Sequence, residues 1–74
     1  MNKERRKKIS IIIKEIEQVK DRLQEVLSEE ESVFDNMPEN LQCSMRGEES
    51  EESIDYMNEA IDALDNALEQ LEEI

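Results

Sequence analysis

The sequence predicts an all-α protein folded as an antiparallel two-helix coiled-coil hairpin. Apolar residues recur in alternating steps of three and four along two separate segments, which is the heptad pattern of helices that pack lengthwise. The single proline lies between these segments, and the 74-residue chain is 41% charged with only one glycine. A chain of this length is sufficient for one domain. We therefore expect a single helical-hairpin domain over residues 1–74.

The first helix is predicted over about residues 3–36. It ends before Pro38, which cannot continue a helix and biases Met37 away from helical geometry. A second apolar row lies beside its heptad stripe, so the apolar face is wider than a two-stranded seam requires. The predicted stripe comprises Ile9, Ile12, Ile16, Val19, Leu23, Val26, Glu30, Val33 and Met37, and the second row comprises Ile13, Leu27 and Phe34, interrupted by Lys20.

The second helix is predicted over about residues 45–73, after a connection of about residues 37–44 that has room for one short turn begun by Pro38. Ser44 is the expected N-cap, because acidic residues follow it within the first helical turn. The apolar stripe of this helix resumes with the same alternation. Its members are Ile54, Met57, Ile61, Leu64, Leu68 and Leu71.

The two stripes predict the register of the hairpin. Pairs from Ile9 with Leu71 through Val26 with Ile54 have residue numbers that sum to 80, which is the signature of antiparallel pairing about position 40. The same register sets Glu30 opposite Ser50, where Glu30 either frays at the edge of the stripe or forms a register-setting contact with the serine. It also sets Val33 opposite Gly47, a layer that lacks one side chain. We therefore expect the hinge end to be the looser end.

A two-helix hairpin leaves part of a wide apolar face in water, and small single-core chains are marginally stable without a partner. We therefore expect two hairpins to form a homodimeric four-helix bundle. One flank of the second helix carries small residues that permit close helix approach. The candidate dimer interface combines this flank with the second row of the first helix: Ile13, Leu27, Ala60, Ala63 and Ala67.

Charge is distributed unevenly along the chain, which has a net charge of −12. Residues 1–8 carry +4, residues 9–37 carry −5 and residues 38–74 carry −11. An acidic surface repels nucleic acids and anionic membranes, so we expect neither as a direct partner. No apolar run approaches the ~20 residues of a membrane span, and a signal peptide is not evident, so we expect a cytoplasmic protein.

The residue types present exclude most catalytic chemistry. The chain has no histidine and a single cysteine, Cys43, so it offers no Ser-His or Cys-His arrangement and no His/Cys metal site. Acidic pairs at Glu48-Glu49 and Glu51-Glu52 lack the spacing of an EF-hand loop. We therefore expect no enzyme, no cofactor and no specific metal site.

The acidic flank of the second helix is the first candidate partner-binding surface. It is either a solvated helix face or a mimic of a phosphate backbone, because eleven net charges over ~46 Å give one per ~4 Å, against one per ~3.4 Å on a DNA strand. Apolar residues near the connection, namely Phe34, Met37 and Leu41, either form a small exposed patch for a partner or plug the open end of the bundle. The candidate partner-binding residues are Asp55, Asp62, Asp65, Glu69, Phe34 and Leu41.

The connection carries a resemblance to a known group. Residues 34–42 read Phe-Asp-Asn-Met-Pro-Glu-Asn-Leu-Gln, residues 44–48 read Ser-Met-Arg-Gly-Glu, and the motif Ile-Asp-x-x-x-x-Ala begins at Ile54 and again at Ile61. This pattern, which covers nearly the whole chain, resembles small acidic two-helix proteins of Gram-positive bacteria and their phages and prophages. The resemblance carries over no functional residue. It implies a setting in which small acidic phage proteins occlude a host protein, including proteins of defence systems.

These observations lead to one functional hypothesis and one alternative. The hypothesis is a non-enzymatic protein-interaction module that binds and modulates or inhibits a host protein, such as a defence or nucleic-acid-handling protein, through charge mimicry. It requires an acidic surface and a partner with a basic surface. The alternative is a structural or assembly coiled coil that only oligomerises or scaffolds.

Overall fold

The computed structural model describes all 74 residues, of which 88% are helical and none is in a strand. Helix α1 spans Lys3–Asp35, the short helix α2 spans Glu39–Gln42, and helix α3 spans Met45–Glu72. Helices α1 and α3 pack against each other along a hairpin that measures 58 × 15 × 12 Å. The predicted all-α fold with two long packed helices is confirmed.

The ends of α1 follow from local chemistry. The side-chain oxygen of Asn2 accepts a hydrogen bond of 2.8 Å from the backbone N–H of Arg5, which satisfies one of the free donors at the start of the helix. At the other end, the N–H of Asn36 donates to the Ser32 carbonyl and the N–H of Met37 donates to that of Phe34. Pro38 follows, so α1 stops at Asp35.

The connection folds into α2, a single helical turn that starts after Pro38. The Pro38 carbonyl accepts from the N–H groups of Leu41 and Gln42 at 2.9 and 3.1 Å. Ser44 occupies the N-cap position of α3 with extended backbone angles, as expected, but its hydroxyl makes no capping bond there. The hydroxyl donates instead to the Leu41 carbonyl, so Ser44 fastens the connection rather than the start of α3.

A polar contact across the hairpin agrees with the predicted antiparallel register. The Ser50 hydroxyl donates a 2.7 Å hydrogen bond to a Glu30 carboxylate oxygen. Ser50 is only 5% exposed and Glu30 is half-buried, so the contact lies inside the seam between the two helices. Their residue numbers sum to 80, as the register requires. Of the two sequence interpretations of Glu30, the structure has the register-setting contact and not a frayed edge.

The α1 residues that pack against α3 differ from the predicted stripe at every second position. At each of these positions, the residue that packs is the one that follows the predicted residue. Ile9, Ile16, Leu23 and Glu30 lie in the seam as expected, and α3 contributes its predicted stripe. The other seam positions are taken by the second row, Ile13, Lys20, Leu27 and Phe34, which are buried or half-buried. Four predicted stripe residues are instead exposed: Ile12 by 46%, Val19 by 49%, Val26 by 51% and Val33 by 53%.

Side-chain size and one ion pair explain why the second row of α1 packs against α3 in place of the predicted stripe residues. Leu27 and Phe34 bury more apolar surface than Val26 and Val33 would in the same layers. Lys20, the apparent interruption, forms a salt bridge with Asp65 of α3 and so lies at the edge of the seam without an unpaired charge. Ile13 and Leu27, the α1 residues predicted for a dimer interface, lie in the seam within the hairpin, where Leu27 is buried and Ile13 is half-buried.

The hinge end is packed through backbone atoms at the layer where Gly47 provides no side chain. Gly47 is buried in the first turns of α3, and a Cβ atom at this position would lie 2.5 Å from the Leu41 carbonyl oxygen and closer still to that of Gln42. The Gln42 side chain also donates a 3.0 Å hydrogen bond to the Phe34 carbonyl. The missing side chain therefore makes room for the connection to cross over α3.

The hydrophobic core is small. Only three apolar side chains are buried, namely Leu27, Ile61 and Leu68, with exposures of 9%, 7% and 8%. The hairpin therefore keeps most of its apolar side chains at least partly in water. None of the helices contains a stretch that is long and apolar enough to cross a bilayer.

Candidate functional site: an acidic face and an open apolar face

The hairpin presents two broad faces of opposite character. The acidic face contains two open grooves between α1 and α3, one at the middle of α1 and one near the hinge. Carboxylates of both helices line these grooves, so the site is built by the pairing of the helices and not by one helix alone. The acidic face comprises Glu17, Asp21, Glu31 and Asp35 of α1 with Glu51, Asp55, Asp65, Glu69 and Glu72 of α3.

The groove at the middle of α1 surrounds a basic side chain of the protein itself. Lys20, which is 24% exposed, lies among five carboxylates and forms a salt bridge with Asp65. The hydrogen bond from Lys20 to Asp65 raises the pKa of the lysine above its ordinary value of 10.5. A raised lysine pKa means that the stabilisation is complete below the unfolded-state pKa and is lost as the pH rises through the folded-state pKa. Asp65 is thus already paired within the chain.

Replacing Lys20 with leucine should raise the melting temperature. The leucine completes the apolar row between Ile13 and Leu27, and the Asp65 carboxylate that loses its partner is 44% exposed and stays hydrated, so the gain in apolar packing exceeds the loss of an ion pair that contributes about 0–1 kcal/mol. Thermal unfolding followed by circular dichroism measures the effect. The matched control is Lys14→Leu, which removes the same charge at an exposed position. A lower melting temperature for Lys20→Leu than for Lys14→Leu would mean that the ion pair contributes more than packing.

The groove near the hinge carries no basic residue. It has a volume of about 390 Å³, and half-buried Phe34 and Ile54 form its apolar part. Four carboxylates surround these two side chains, and none of them has a salt-bridge partner. They come in equal number from the two helices: Glu31 and Asp35 from α1, Glu51 and Asp55 from α3.

The structure divides the candidate partner-binding residues between these sites. Asp55 and Phe34 line the hinge groove together, whereas Asp65 and Glu69 line the groove that holds Lys20. Asp62 and Leu41 are exposed but line neither groove. The carboxylates of α1 and the side chain of Ile54 were not among the candidates, because they join the site only when α1 and α3 pair. The constant residue-number sum of 80 already contained the register that places them together.

The second face is apolar and open. On α1 it consists of the exposed row Ile12, Val19, Val26 and Val33, each one position before a seam residue and so rotated from it by about 100°. On α3, Ala60 and Ala67 precede the seam residues Ile61 and Leu68 in the same way and are exposed. The salt bridge between Lys20 and Asp65 lies on the acidic face of the hairpin. Because α1 and α3 are antiparallel, the exposed row of α1 and the exposed alanines of α3 both lie on the opposite face. We call this surface the open apolar face.

The chain contains no group of three or more His, Cys, Asp or Glu side chains arranged to hold a metal ion. Cys43 is a free, exposed thiol in the connection. No protein-family model matches the chain, and no curated protein or solved structure is significantly similar to it. The functional interpretation therefore depends on the two faces.

Proposed function

We propose that the chain is a non-enzymatic protein-interaction module whose acidic face binds a basic surface of a host protein and thereby modulates or inhibits it. The hinge groove is the observation that carries this proposal, because four carboxylates without basic partners surround two half-buried apolar side chains there. Carboxylates left without a partner inside one chain are available to cations of another. The expected location of the complex is the cytoplasm.

The chemistry of the groove fits lysine and arginine side chains. Such side chains carry an aliphatic stem with a charged end, so the stem can contact Phe34 and Ile54 while the charge meets the surrounding carboxylates. An arginine can also stack on the Phe34 ring. Basic side chains cluster on surfaces that handle nucleic acids, which makes a nucleic-acid-handling or defence protein a chemically suitable target. The resemblance to small acidic phage proteins supports the same setting.

A structural or assembly role is the second candidate. The open apolar face favours it, because four aliphatic side chains at seven-residue intervals remain about half exposed. Burying this face against other helices would form a four-helix bundle, the arrangement expected of a homodimer. The two roles use different faces, so one molecule can perform both.

Neutralising the hinge groove should slow binding to the basic partner at least ~10-fold, because charge complementarity acts mainly on the association rate. The variant is Glu31→Gln, Asp35→Asn, Glu51→Gln and Asp55→Asn. The partner is isolated first by affinity capture on the wild-type chain, and association rates are then measured at low and high salt. The wild-type rate should fall with salt, since the Debye length shrinks from ~10 Å at 0.1 M to ~3 Å at 1 M.

A matched control removes four exposed acids that line neither acidic groove, namely Glu25, Glu48, Glu52 and Glu59, each changed to glutamine. Both variants change the net charge by the same amount. The control should keep an association rate within about twofold of wild type. Equal rates for the two variants, or capture of no basic protein, would contradict binding through the hinge groove.

A further inference from the structure

We propose that a second copy of this chain covers the open apolar face and packs head to tail, so that each chain's basic end lies beside the hinge of the other. In this arrangement α1 packs against α1 of the second copy and α3 against α3, and the two-fold axis is perpendicular to the long helices. The proposal names the occupant and orientation for the four-helix assembly proposed above and rests on it. The acidic face stays outside this interface.

The open apolar face has the pattern of a second helix-packing surface. On α3 an uncharged stripe follows alternating steps of three and four, although the helix is otherwise rich in acids. Three alanines at its centre permit close approach of another helix, and Tyr56 is 64% exposed and Ile74 46% exposed. The stripe comprises Ser53, Tyr56, Ala60, Ala63, Ala67, Gln70 and Ile74. On α1 the matching surface is the exposed row Ile12, Val19, Val26 and Val33.

The single chain exposes more surface than a compact monomer of its mass. The chain has an accessible surface of 5965 Å², whereas a folded monomer of its 8.7 kDa mass is expected to expose roughly 4,700 Å². The excess is ~1,300 Å² per chain, and a standard specific interface buries ~800 Å² per partner. The excess is therefore large enough for a homodimer interface of standard size on the open apolar face.

The charge distribution determines the orientation. At the open end of the hairpin, residues 1–8 carry +4 and residues 69–74 carry −3, leaving +1. At the hinge end, residues 29–52 hold nine acids and only Arg46 as a base, leaving −8. Two copies that point in the same direction would bring their negatively charged hinge ends together. Repulsion between these like charges opposes that arrangement. The head-to-tail arrangement separates the hinge ends and places each beside the basic residues 1–8 of the other copy.

Sedimentation equilibrium tests the assembly. Wild-type protein should report twice the 8.7 kDa chain mass at micromolar concentration. The variant Val19→Glu with Val26→Glu should raise the dimer dissociation constant at least ~100-fold, because it buries unpaired charge in the interface. Gln24→Glu with Ser28→Glu adds the same charge at exposed positions outside this face and should leave the dissociation constant within about tenfold. Circular dichroism of each variant checks that the helices remain.

A distance measurement tests the orientation with the native cysteine. Cys43 is exposed in the connection, so one spin label per chain reports the separation of the two hinges by pulsed electron resonance. The head-to-tail dimer should give a distance approaching the 58 Å length of the hairpin. Two hinges at the same end would be separated by only about 20–30 Å, given interhelical spacings of 8–10 Å and the label arms.

Three outcomes would overturn the proposal: a wild-type monomer at all concentrations, a dimer that Val19→Glu with Val26→Glu does not weaken, or a short distance between the labelled hinges. None of them affects binding of a basic partner at the hinge groove, which the groove variants test separately. Conversely, failure to capture a basic protein would leave the dimer measurements unchanged. Each proposal can therefore be contradicted by its own measurements without affecting the other.

Discussion

Alanine at position 47 should destabilise the protein by about 2–4 kcal/mol, the size typical of overpacking at a site that cannot relax. The new Cβ atom would lie 2.5 Å from the Leu41 carbonyl oxygen, and the nearest groups are backbone atoms rather than the end of a flexible side chain. The direction is diagnostic, because Gly→Ala inside a helix ordinarily stabilises it by ~0.5–1 kcal/mol. Urea unfolding followed by circular dichroism measures the free energy.

The control for this substitution is Asn58→Ala, at an exposed position of the same helix. It should stabilise the protein by a few tenths of a kcal/mol, because alanine has the higher helix propensity. Gly47→Ala and Asn58→Ala should therefore have opposite signs. A Gly47→Ala protein that is more stable than wild type would mean that the connection does not cross α3 where the structure has it.

Aspartate at position 27 should unfold the hairpin at room temperature. Leu27 is one of only three buried apolar side chains and is 9% exposed. Losing its packing and burying a carboxylate in its place costs roughly 3–5 kcal/mol, which is comparable to the whole stability of a chain this small. The far-ultraviolet circular dichroism signal of helix and the cooperative thermal transition should both be lost.

Two further variants identify which row of α1 forms the seam. Ser28→Asp, at the exposed neighbouring position, should fold like wild type. Val26→Asp should remain helical as a single chain and weaken only the assembly of two copies, since Val26 is 51% exposed within the hairpin. If Val26→Asp unfolded the chain and Leu27→Asp did not, the seam would be the row of Ile12, Val19, Val26 and Val33 after all.

Much of the fold could be predicted because its determinants are local. Pro38 ends α1 and starts the short helix α2, and the stripe of α3 from Ile54 to Leu71 is the only heptad pattern in that segment made entirely of large apolar residues. The constant sum of 80 also predicted the pairing of Glu30 with Ser50, which the structure forms as a hydrogen bond. Local capping signals and periodicity were sufficient for these features.

The choice between the two apolar rows of α1 could not be made from periodicity. Ile9, Ile16 and Leu23 form an acceptable heptad stripe either with Ile12, Val19, Val26 and Val33 or with the second row. Lys20 counted against the correct row, because a lysine in a seam is unfavourable unless its charge has a partner. That partner is Asp65, which lies 45 positions away along the chain and was treated only as a residue of the acidic flank.

The sequence predicted that the protein has an acidic site, but it did not predict all the residues that form the site. Charge counting found the acidic flank of α3, including Asp55 and Glu69, whereas the carboxylates of α1 that complete the grooves belong to a helix that also carries eight of the nine basic residues. They form one surface with α3 only after the helices pair. Gly47 posed a similar difficulty, since its contact is with the backbone of Leu41 and Gln42 and leaves no trace in side-chain pattern.

The slender shape of the hairpin has a consequence for how it opens. It is 58 Å long but only 15 Å and 12 Å across, so each layer of side chains contacts only the layers before and after it. Stability in such a structure is approximately a sum of nearest-neighbour terms, as in repeat proteins. Opening can therefore start at the end of the hairpin opposite the connection, near Met1 and Ile74, and proceed layer by layer, while the connection over Gly47 keeps the two helices joined and ready to close again.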